Sequence, residues 1–256
     1  MHRLLPIPNS TDSTDDRIVA IKKKAIREEG VAAVDRALTV VVALETAEEP
    51  ISLADLSRKT GLYKSTLLRL IASLEKFALV VARPDKKYCL GPLAFRLGKS
   101  FEATDHLREQ VVAALERLVE KGTESASFHV RHDRKHRLCL FRVDSRHSTL
   151  DRVKAGDLLP IDRGAAGKAI RLFEQQLSKD DLLNNESVVE SFGERNPIIA
   201  GISAPVFGVG NLFYGVISIS GPIERFTDSN IRKMKRLLID ECREITTSLG
   251  GEWPWL

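Results

Sequence analysis

The sequence predicts an α+β fold, in which a small helical domain precedes a larger domain built on an antiparallel sheet. The 256 residues are 43% hydrophobic and 29% charged, which are ordinary globular values, and the length suits two domains. Apolar residues recur at helical spacing through the first third of the chain. In the second half, strand-like runs and helices are mixed with hairpins instead of alternating regularly, which favours an antiparallel sheet.

The composition also indicates where the protein is located and whether it binds a metal. No run approaches the ~20 continuous apolar residues of a membrane helix, and the apolar patch in Met1–Ser10 is too short for a signal-peptide core. We therefore expect a cytoplasmic protein with no membrane partner. The three cysteines (Cys89, Cys139 and Cys242) are odd in number and lack zinc-ligand spacing, so we predict no disulfide scaffold, metal site or cofactor.

Residues 31–77 carry the pattern of three short helices. The first, Val34–Leu44, places apolar residues at i, i+3, i+4 and i+7. Ser52 begins a capping box that predicts a second helix over Leu53–Lys59, and Gly61 is suited to end it. The third helix is predicted over Tyr63–Phe77. Its predicted buried stripe is Leu67, Leu70, Ile71 and Leu74.

A basic hairpin follows these helices. Residues 84–87, Pro-Asp-Lys-Lys, stand between two apolar runs and predict a tight turn. Two short helices joined by a turn containing glycine are the sequence form of a helix-turn-helix, and a hairpin after them forms a wing. The N-terminal domain is therefore predicted to be a winged helix-turn-helix.

The distribution of charge favours DNA as its partner. The whole chain has a net charge of +4, but residues 51–100 hold ten Lys and Arg against three Asp and Glu. A basic excess confined to one short domain is typical of polyanion binding, and recognition helices contact base edges with their N-terminal residues. The predicted DNA-binding residues are Tyr63, Lys64, Ser65, Thr66, Arg69, Arg83, Lys86 and Lys87. A protein-interaction module is the alternative, and the basic helix front and wing argue against it.

Several motifs, taken in order, resemble the IclR family of bacterial transcriptional regulators. They are VDRAL (34–38), LADL (53–56), TGLYKST (60–66), YCLGP (88–92), LP (159–160), GAAGKA (164–169), APVF (204–207) and SISGP (218–222). The resemblance spans about residues 31–250. It implies a winged helix-turn-helix over 31–92, a connecting helix over 93–104 and a GAF-like effector-binding domain over 105–250, while the polar composition of residues 1–30 predicts a disordered tail.

The C-terminal half on its own predicts the same mixed architecture. Helices are expected over Leu93–Ala103, around Leu107–Leu118, over Ala165–Phe173 and from about Thr227 onward. Strands are expected over Ser125–Arg131, Leu138–Val143, Leu150–Lys154, Gly201–Phe207 and Leu212–Ser220. The basic segment between the first two strands, His132–Arg137, is interpreted as a solvated turn.

No catalytic constellation emerges from this half. Gly164–Lys168 resembles a phosphate loop, but two residues separate its first glycine from Gly-Lys where four are required, and no GxSxG is present. His129, His132 and His136 fall on a strand and a turn among basic residues, which disfavours a metal. We predict a regulator without catalytic residues. An enzyme with an appended nucleic-acid-binding or dimerisation module is the alternative.

Instead, a binding pocket is predicted. Ser218 and Ser220 share one face of a strand and require a ligand, water or backbone partner, a structural hydrogen bond being equally compatible. The helix after Arg163 offers its first amides to a carboxylate, although Arg163 could instead pair with Asp162. The family resemblance adds Gly201 and further positions. The full predicted effector set is Arg163, Ala165, Ala166, Gly201, Ser203, Ser218 and Ser220.

The predicted effector is a small organic anion, an aromatic or short aliphatic carboxylate. Some family members carry an acidic residue where Ser191 stands here, and the neighbouring pair Glu194-Arg195 could substitute for it. A single helix-turn-helix buries too little for strong specific binding, so we expect a homodimer or homotetramer on a pseudo-palindromic, double-stranded operator. Repression and activation are both compatible with the sequence.

Overall fold

The computed structural model describes residues 30–104, 106–175 and 186–255. The chain divides into two compact units, with the boundary after Thr104. The predicted tail over residues 1–30 lies outside the described residues, except for Gly30. Within the described ranges, no helix has the length and apolar character needed to span a membrane.

The N-terminal unit is a winged helix-turn-helix. Its helices are α1 (Ala32–Glu45), α2 (Leu53–Thr60), α3 (Lys64–Lys76) and α4 (Pro92–Thr104), and its strands are β1 (Ile51–Ser52), β2 (Val80–Ala82) and β3 (Lys87–Leu90). The strands form an antiparallel sheet in the order β1-β3-β2. A compact apolar core joins α1, α2, α3 and β2. Its most buried members include Val40, Leu56, Leu67, Ile71 and Val80.

Local signals place the turn between α2 and α3. The Ser52 hydroxyl accepts the Asp55 backbone N–H at 3.2 Å and so caps α2. Gly61 ends the helix with φ of 62°, a left-handed conformation that glycine adopts without a side-chain clash. The Ser57 hydroxyl then donates to the Leu62 carbonyl at 2.7 Å, which fixes the entry into α3. The predicted first and last residues of α2 and of α3 are each correct to within one residue.

Helix α1 forms as predicted, but its predicted apolar stripe is only partly buried. Val34 and Leu38 are 52% and 53% exposed. The predicted Leu44 is buried, with Val40 and Ala43, and the predicted Ala37 and Val41 pack against this core. The helix is apolar around most of its circumference, so its periodicity does not select one face. A row of exposed aliphatic side chains therefore runs along the helix: Val31, Val34, Leu38 and Val42.

The C-terminal unit is a six-stranded antiparallel sheet covered by helices. Its helices are α5 (His106–Glu120), α6 (Ala165–Phe173) and α7 (Asp228–Ser248). Its strands are β4 (Ser125–Arg131), β5 (His136–Val143), β6 (Leu158–Pro160), β7 (Val189–Phe192), β8 (Ile199–Phe207) and β9 (Phe213–Pro222). The strand order is β6-β5-β4-β9-β8-β7. Helices α5 and α7 pack on one face, and α6 packs on the other, so the predicted α+β class is confirmed.

Two strand predictions in this unit need correction. Residues 150–154 are not a strand, although their apolar content suggested one. Asp151 is drawn into the interior by an ion pair, and the sheet instead pairs β5 with β6, in the register Arg137 to Leu159. The edge strand β7 was not predicted. The segment His132–Arg137 is also less solvated than expected, because Arg137 is only 3% exposed.

Candidate DNA-binding surface and effector cavity

The front of α3 is open to solvent. Tyr63, the residue before the helix, is 84% exposed, and Lys64, Ser65 and Arg69 are exposed as well. Thr66 is half-buried, and the opposite face of the helix packs into the core. Within the described residues, neither Lys64 nor Arg69 forms an ion pair, so their charges are available to an incoming polyanion.

The wing presents the other predicted DNA-binding residues. Its turn is closed by the Arg83 N–H, which donates to the Lys87 carbonyl at 2.8 Å. Lys86 occupies the tip in the left-handed region, with φ of 60°. Arg83 and Lys86 are exposed and Lys87 is half-buried. Among the described residues, the one carboxylate paired with Arg83 is that of Asp85, at 4.0 Å, so the tip retains a net positive charge.

In the C-terminal unit, a cavity lies between the sheet and the first turn of α6. Its volume is about 30 Å³, which is room for about two water molecules. Five of the predicted effector residues line it: Ala165, Ala166, Gly201, Ser218 and Ser220. Four charged or titratable residues outside the predicted effector set line it as well: His129, Arg137, Asp151 and Arg195. Of these, Arg195 belongs to the pair Glu194-Arg195 that the sequence offered beside Ser191.

A β-bulge directs two of these side chains into the cavity. Strand β5 carries one extra residue, Leu140, opposite β4. Because of the bulge, Phe141 pairs with Phe128 on the α5–α7 side, whereas Arg137 lies on the α6 side with His129. Strict alternation would have placed Arg137 and Phe141 on one face. The bulge therefore separates the cationic cavity from the apolar core.

Arg137 is a buried cation without an acidic partner. Its Nη1 donates to the backbone carbonyls of Pro160 and, at 3.1 Å, Arg163, and its Nε has no hydrogen-bond partner. It pairs with no carboxylate of the described residues. Burial, followed by the positive charge of Arg195, lowers the pKa of Arg137 to about 10. Burying an unpaired charge is unfavourable, so this guanidinium would gain from an anionic ligand.

The guanidinium stands at the N-terminus of α6. A Cβ added to Gly167 would come within 3.0 Å of Arg137 Nη1, so glycine permits this close approach. No side chain caps α6, and the Gly164 N–H donates to Glu194 at 3.3 Å. The amides at the start of a helix carry partial positive charge. Arg137 and the α6 terminus therefore place positive charge at the same corner of the cavity.

Asp151 supplies the cavity with a buried carboxylate. Both of its oxygens lie 2.6 Å from Arg195 Nη2, and the Ser220 hydroxyl donates to Oδ2 at 3.0 Å. Arg142 Nη2 donates to the Asp151 backbone carbonyl at 2.9 Å. Ser218 in turn donates to the Ile202 carbonyl at 3.3 Å. Both predicted serine hydroxyls thus already have protein partners.

The two remaining predicted effector residues lie away from the cavity surface. Arg163 is about half exposed and binds Asp162 through its Nε at 3.1 Å, the alternative that the sequence left open. This bond raises the pKa of Arg163 and lowers that of Asp162. Ser203 is fully buried, does not line the cavity, and its hydroxyl lacks a partner. Ser191 lines the cavity, and Glu194 pairs with Lys168 at 2.7 Å instead.

His129 is held neutral inside this site. Its Nε2 lies 2.9 Å from the Ser127 hydroxyl, and its buried Nδ1 has no partner. Burial above all, and then the charges of Arg137, Arg142 and Arg195, keeps the pKa of His129 well below its usual value. No group of three metal-binding side chains occurs among the described residues. His136 binds Asp133, through Nδ1 at 3.0 Å.

The burial of neutral His129 predicts that the free energy of unfolding decreases at acidic pH. Below pH about 6.5 the unfolded chain protonates His129 whereas the folded chain does not, so stability falls as pH falls, by up to ~1.4 kcal/mol per pH unit. The variant His129→Asn should lack this contribution. Urea unfolding at pH 7.5 and pH 5.5, followed by the fluorescence of Trp253 and Trp255, measures it.

His132→Asn is the matched control, because His132 is 47% exposed. It should retain the wild-type loss of stability on acidification. An equal pH dependence in wild type and His129→Asn would show that His129 is protonated in the folded protein.

A second cavity, of about 170 Å³, lies near the start of α7. Its buried acid, Glu124, is already satisfied by Arg225 at 2.9 Å and approached by His147 at 3.4 Å. The smaller cavity, with its unpaired cation and uncapped helix terminus, is the stronger candidate for a ligand site.

Comparison with known proteins agrees with both halves of this description. Residues 33–84 match the model of the IclR helix-turn-helix domain. Over 244 residues the chain is 24% identical to the transcriptional repressor IclR of Escherichia coli (strain K12), an alignment that covers 84% of this chain and 89% of that protein.

Solved structures show that the fold is shared along nearly the whole chain. An IclR-type regulator from Silicibacter sp. TM1040 superposes with a TM-score of 0.76 at 20% identity, over 88% of this chain and 100% of its own. An IclR homologue from Microbacterium hydrocarbonoxydans, solved with 4-hydroxybenzoate, has a TM-score of 0.66 at 16% identity. The match covers 85% of this chain and 99% of that chain. The E. coli relative is a repressor, which agrees with the predicted regulator and not with the enzyme alternative. Residues 33–84 therefore carry an IclR helix-turn-helix domain, and with the antiparallel-sheet domain that follows, the chain is similar over most of its length to IclR-type transcriptional regulators.

Proposed function

We propose that this regulator senses a small organic anion in the cavity at the N-terminus of α6. The observation that carries the proposal is the buried, unpaired guanidinium of Arg137 beside an uncapped helix terminus. An anion there would neutralise the one cavity cation that has no carboxylate partner among the described residues. A carboxylate is the favoured group, because it accepts several hydrogen bonds in one plane from guanidinium and amide donors.

Comparison supports an organic acid as effector. The homologue from Microbacterium hydrocarbonoxydans is complexed with 4-hydroxybenzoate, which carries one carboxylate and one hydroxyl. In this chain the aliphatic lining, including Val153, Leu159 and Ile199, would contact the carbon skeleton of such an acid. The neutral His129 offers an unpartnered Nδ1 for a second polar group.

The DNA-binding half acts through α3 and the wing. We assign base contacts to the front of α3, at Tyr63, Lys64, Ser65, Thr66 and Arg69. Backbone or minor-groove contacts are assigned to Arg83, Lys86 and Lys87 on the wing. We further propose a homodimer or homotetramer on a pseudo-palindromic operator, because one such module contacts only a half-site. The exposed aliphatic row on α1 offers a surface for pairing two copies.

Coupling between the two halves requires differential binding. An effector changes operator affinity only if it binds one arrangement of the protein more tightly than another. We assign the transmission to α4, the predicted connecting helix. Either sign, repression relieved by the acid or activation by it, satisfies this condition.

Two substitutions distinguish base reading from backbone attraction. Arg69→Ala should weaken binding to the operator by ~1–3 kcal/mol and relax its sequence preference if Arg69 contacts a base. Lys86→Ala should weaken binding to all sequences alike. It should also reduce the slope of log affinity against log salt concentration by the amount that corresponds to about one phosphate contact. Fluorescence anisotropy on operator and scrambled duplexes, over a salt series, measures both effects.

Lys86→Gly serves as a control for the wing. It removes the same charge but relaxes the left-handed backbone at the tip. Equal losses in the alanine and glycine variants would assign the effect to charge. Unchanged affinity in both Arg69→Ala and Lys86→Ala would exclude this binding mode.

The proposal as a whole is tested by selection from random duplex DNA. The full chain is incubated with the library at physiological salt, without and then with acetate, propionate, benzoate and 4-hydroxybenzoate. Recovery of a palindrome, changed by one acid, supports the proposal, and the half-site spacing reports the dimer geometry. Binding that is only salt-sensitive and independent of sequence, in every condition, argues against a specific operator.

A further inference from the structure

The carboxylate of Asp151 is bound by the kinds of donor that a carboxylate ligand requires. It receives two contacts of 2.6 Å from Arg195 and a hydroxyl hydrogen bond from Ser220. Arg195 and Ser220 are both cavity-lining residues. An incoming acid would use the same donors, because guanidinium and hydroxyl groups are what carboxylates bind in proteins.

The cavity, which Asp151 lines, is too small for an aromatic acid in this structure. Its volume of about 30 Å³ admits about two water molecules, which is less than the volume of a benzoate ring. A part of the wall must therefore move. The strands β4, β8 and β9 lie at the centre of the sheet and are joined by continuous backbone hydrogen bonding. They are therefore not expected to move.

The segment that carries Asp151 is loosely held by comparison. Residues 146–153 form no backbone–backbone hydrogen bond with the rest of the described chain. Side chains anchor them instead: Arg142 binds the Asp151 carbonyl and Arg225 binds the Thr149 carbonyl. The segment is further held by the buried Val153 side chain, by the approach of His147 to Glu124, and by the inward contacts of the Asp151 carboxylate with Arg195 and Ser220. Local opening is favoured where backbone hydrogen bonds are few.

From these observations we infer that Asp151 is an internal competitor of the effector. The effector carboxylate displaces Asp151 from Arg195 and releases segment 146–153, and this exchange couples occupancy of the cavity to the shape of the domain. The inference rests on the proposed anion site and adds its regulation. The freed Asp151 carboxylate moves to solvent, and the entering carboxylate takes its place between Arg195 and Arg137.

Competition also sets specificity. An acid must offer enough contacts to outweigh an intramolecular carboxylate that is always present at high effective concentration. Inorganic anions and very short acids, which lack an apolar skeleton for the cavity wall, should displace Asp151 poorly. Competition with Asp151 therefore favours acids that have both a carboxylate and an apolar skeleton.

The variant Asp151→Asn tests the competition. It preserves size but removes the charge that binds Arg195. Calorimetry on the full chain, with acetate, propionate, benzoate and 4-hydroxybenzoate, should show the best-binding acid at least tenfold tighter than in wild type. Asp240→Asn is the matched control: it removes a charge from the same unit, but Asp240 is 48% exposed, pairs with Arg243 and lies outside the cavity. Its affinity should stay within about twofold of wild type.

Hydrogen exchange supplies a second readout. In wild type, peptides covering residues 146–153 should exchange faster when the acid is bound. In Asp151→Asn they should exchange fast already, with little further change. Circular dichroism at the assay temperature verifies that each variant is folded.

The outcomes separate this inference from the proposed function. Weaker or equal binding in Asp151→Asn, or slower exchange of residues 146–153 when wild type binds the acid, overturns the competitor role and leaves the anion site standing. Binding by Asp151→Asn but not by wild type supports the competitor role in its strongest form. No heat with any acid in any of the three folded proteins overturns the anion site and the competitor together.

Discussion

Replacing Arg137 by methionine should abolish detectable binding of carboxylates to the C-terminal unit. Arg137 is 3% exposed, lies against the first turn of α6 and pairs with no carboxylate of the described residues. Truncating one partner of a buried charged contact costs about 2–5 kcal/mol, which corresponds to a loss of roughly 30-fold to several thousandfold in affinity. Calorimetry with benzoate and 4-hydroxybenzoate measures the loss.

Two further variants make this result specific. Arg137→Lys retains the positive charge and should recover part of the affinity, although an ammonium group lacks the planar donors of guanidinium. Arg163→Met removes an arginine near the start of α6 that points to solvent and binds Asp162, so affinity should change little. Equal losses in Arg137→Met and Arg163→Met would indicate a general electrostatic effect instead of a site centred on Arg137. Thermal unfolding of each variant checks that the Pro160 and Arg163 carbonyls tolerate the loss of their donor.

The N-terminal domain could be predicted from sequence nearly residue by residue, because its signals are local. The Ser52 cap, the left-handed Gly61 and the apolar spacing of α3 each involve residues within a few positions of one another. The prediction fails where local signals are ambiguous. Helix α1 is apolar on most sides, so nothing within the helix indicates that Val34 and Leu38 face outward.

The lining of the candidate effector cavity could be predicted in part, because some of its residues also follow from local patterns. Ser218 and Ser220 follow from strand alternation, and Ala165 and Ala166 from a helix start, and all four line the cavity. These are the residues of the site that a periodic pattern can place.

The charged residues of the cavity depend on distant contacts. Arg137 turns inward because a bulge near Leu140 shifts the register of β5, and His129 lies beside it across the β4–β5 pair. Asp151 and Arg195 are 44 positions apart and meet through an ion pair. An alternating pattern cannot show a bulge, and it cannot pair two residues on irregular segments. The signal that the sequence does carry is a basic residue, Arg137, directly before the continuous apolar run 138–141.

The largest effect on stability is expected at a buried carboxylate between α5 and α7. Glu241 is 2% exposed and binds Arg117 through Nε and Lys121, each at 2.9 Å. The double variant Arg117→Met, Lys121→Met leaves this carboxylate buried and unpaired. Such a loss costs about 3–5 kcal/mol. We expect the lower end, because both cations are partly exposed and water can reach the carboxylate once they are gone.

A third substitution shows whether the unpaired charge is the cause. Adding Glu241→Met to the double variant removes the charge and places an apolar side chain in the α5–α7 core, so most of the lost stability should return. Arg243→Met is the control on the same helix: its pair with Asp240 is about half exposed and contributes at most ~1 kcal/mol. Urea unfolding followed by tryptophan fluorescence reports on this unit, because Trp253 and Trp255 both lie in it. If the triple variant were as unstable as the double variant, packing by the Arg117 and Lys121 stems, and not charge, would hold the two helices together.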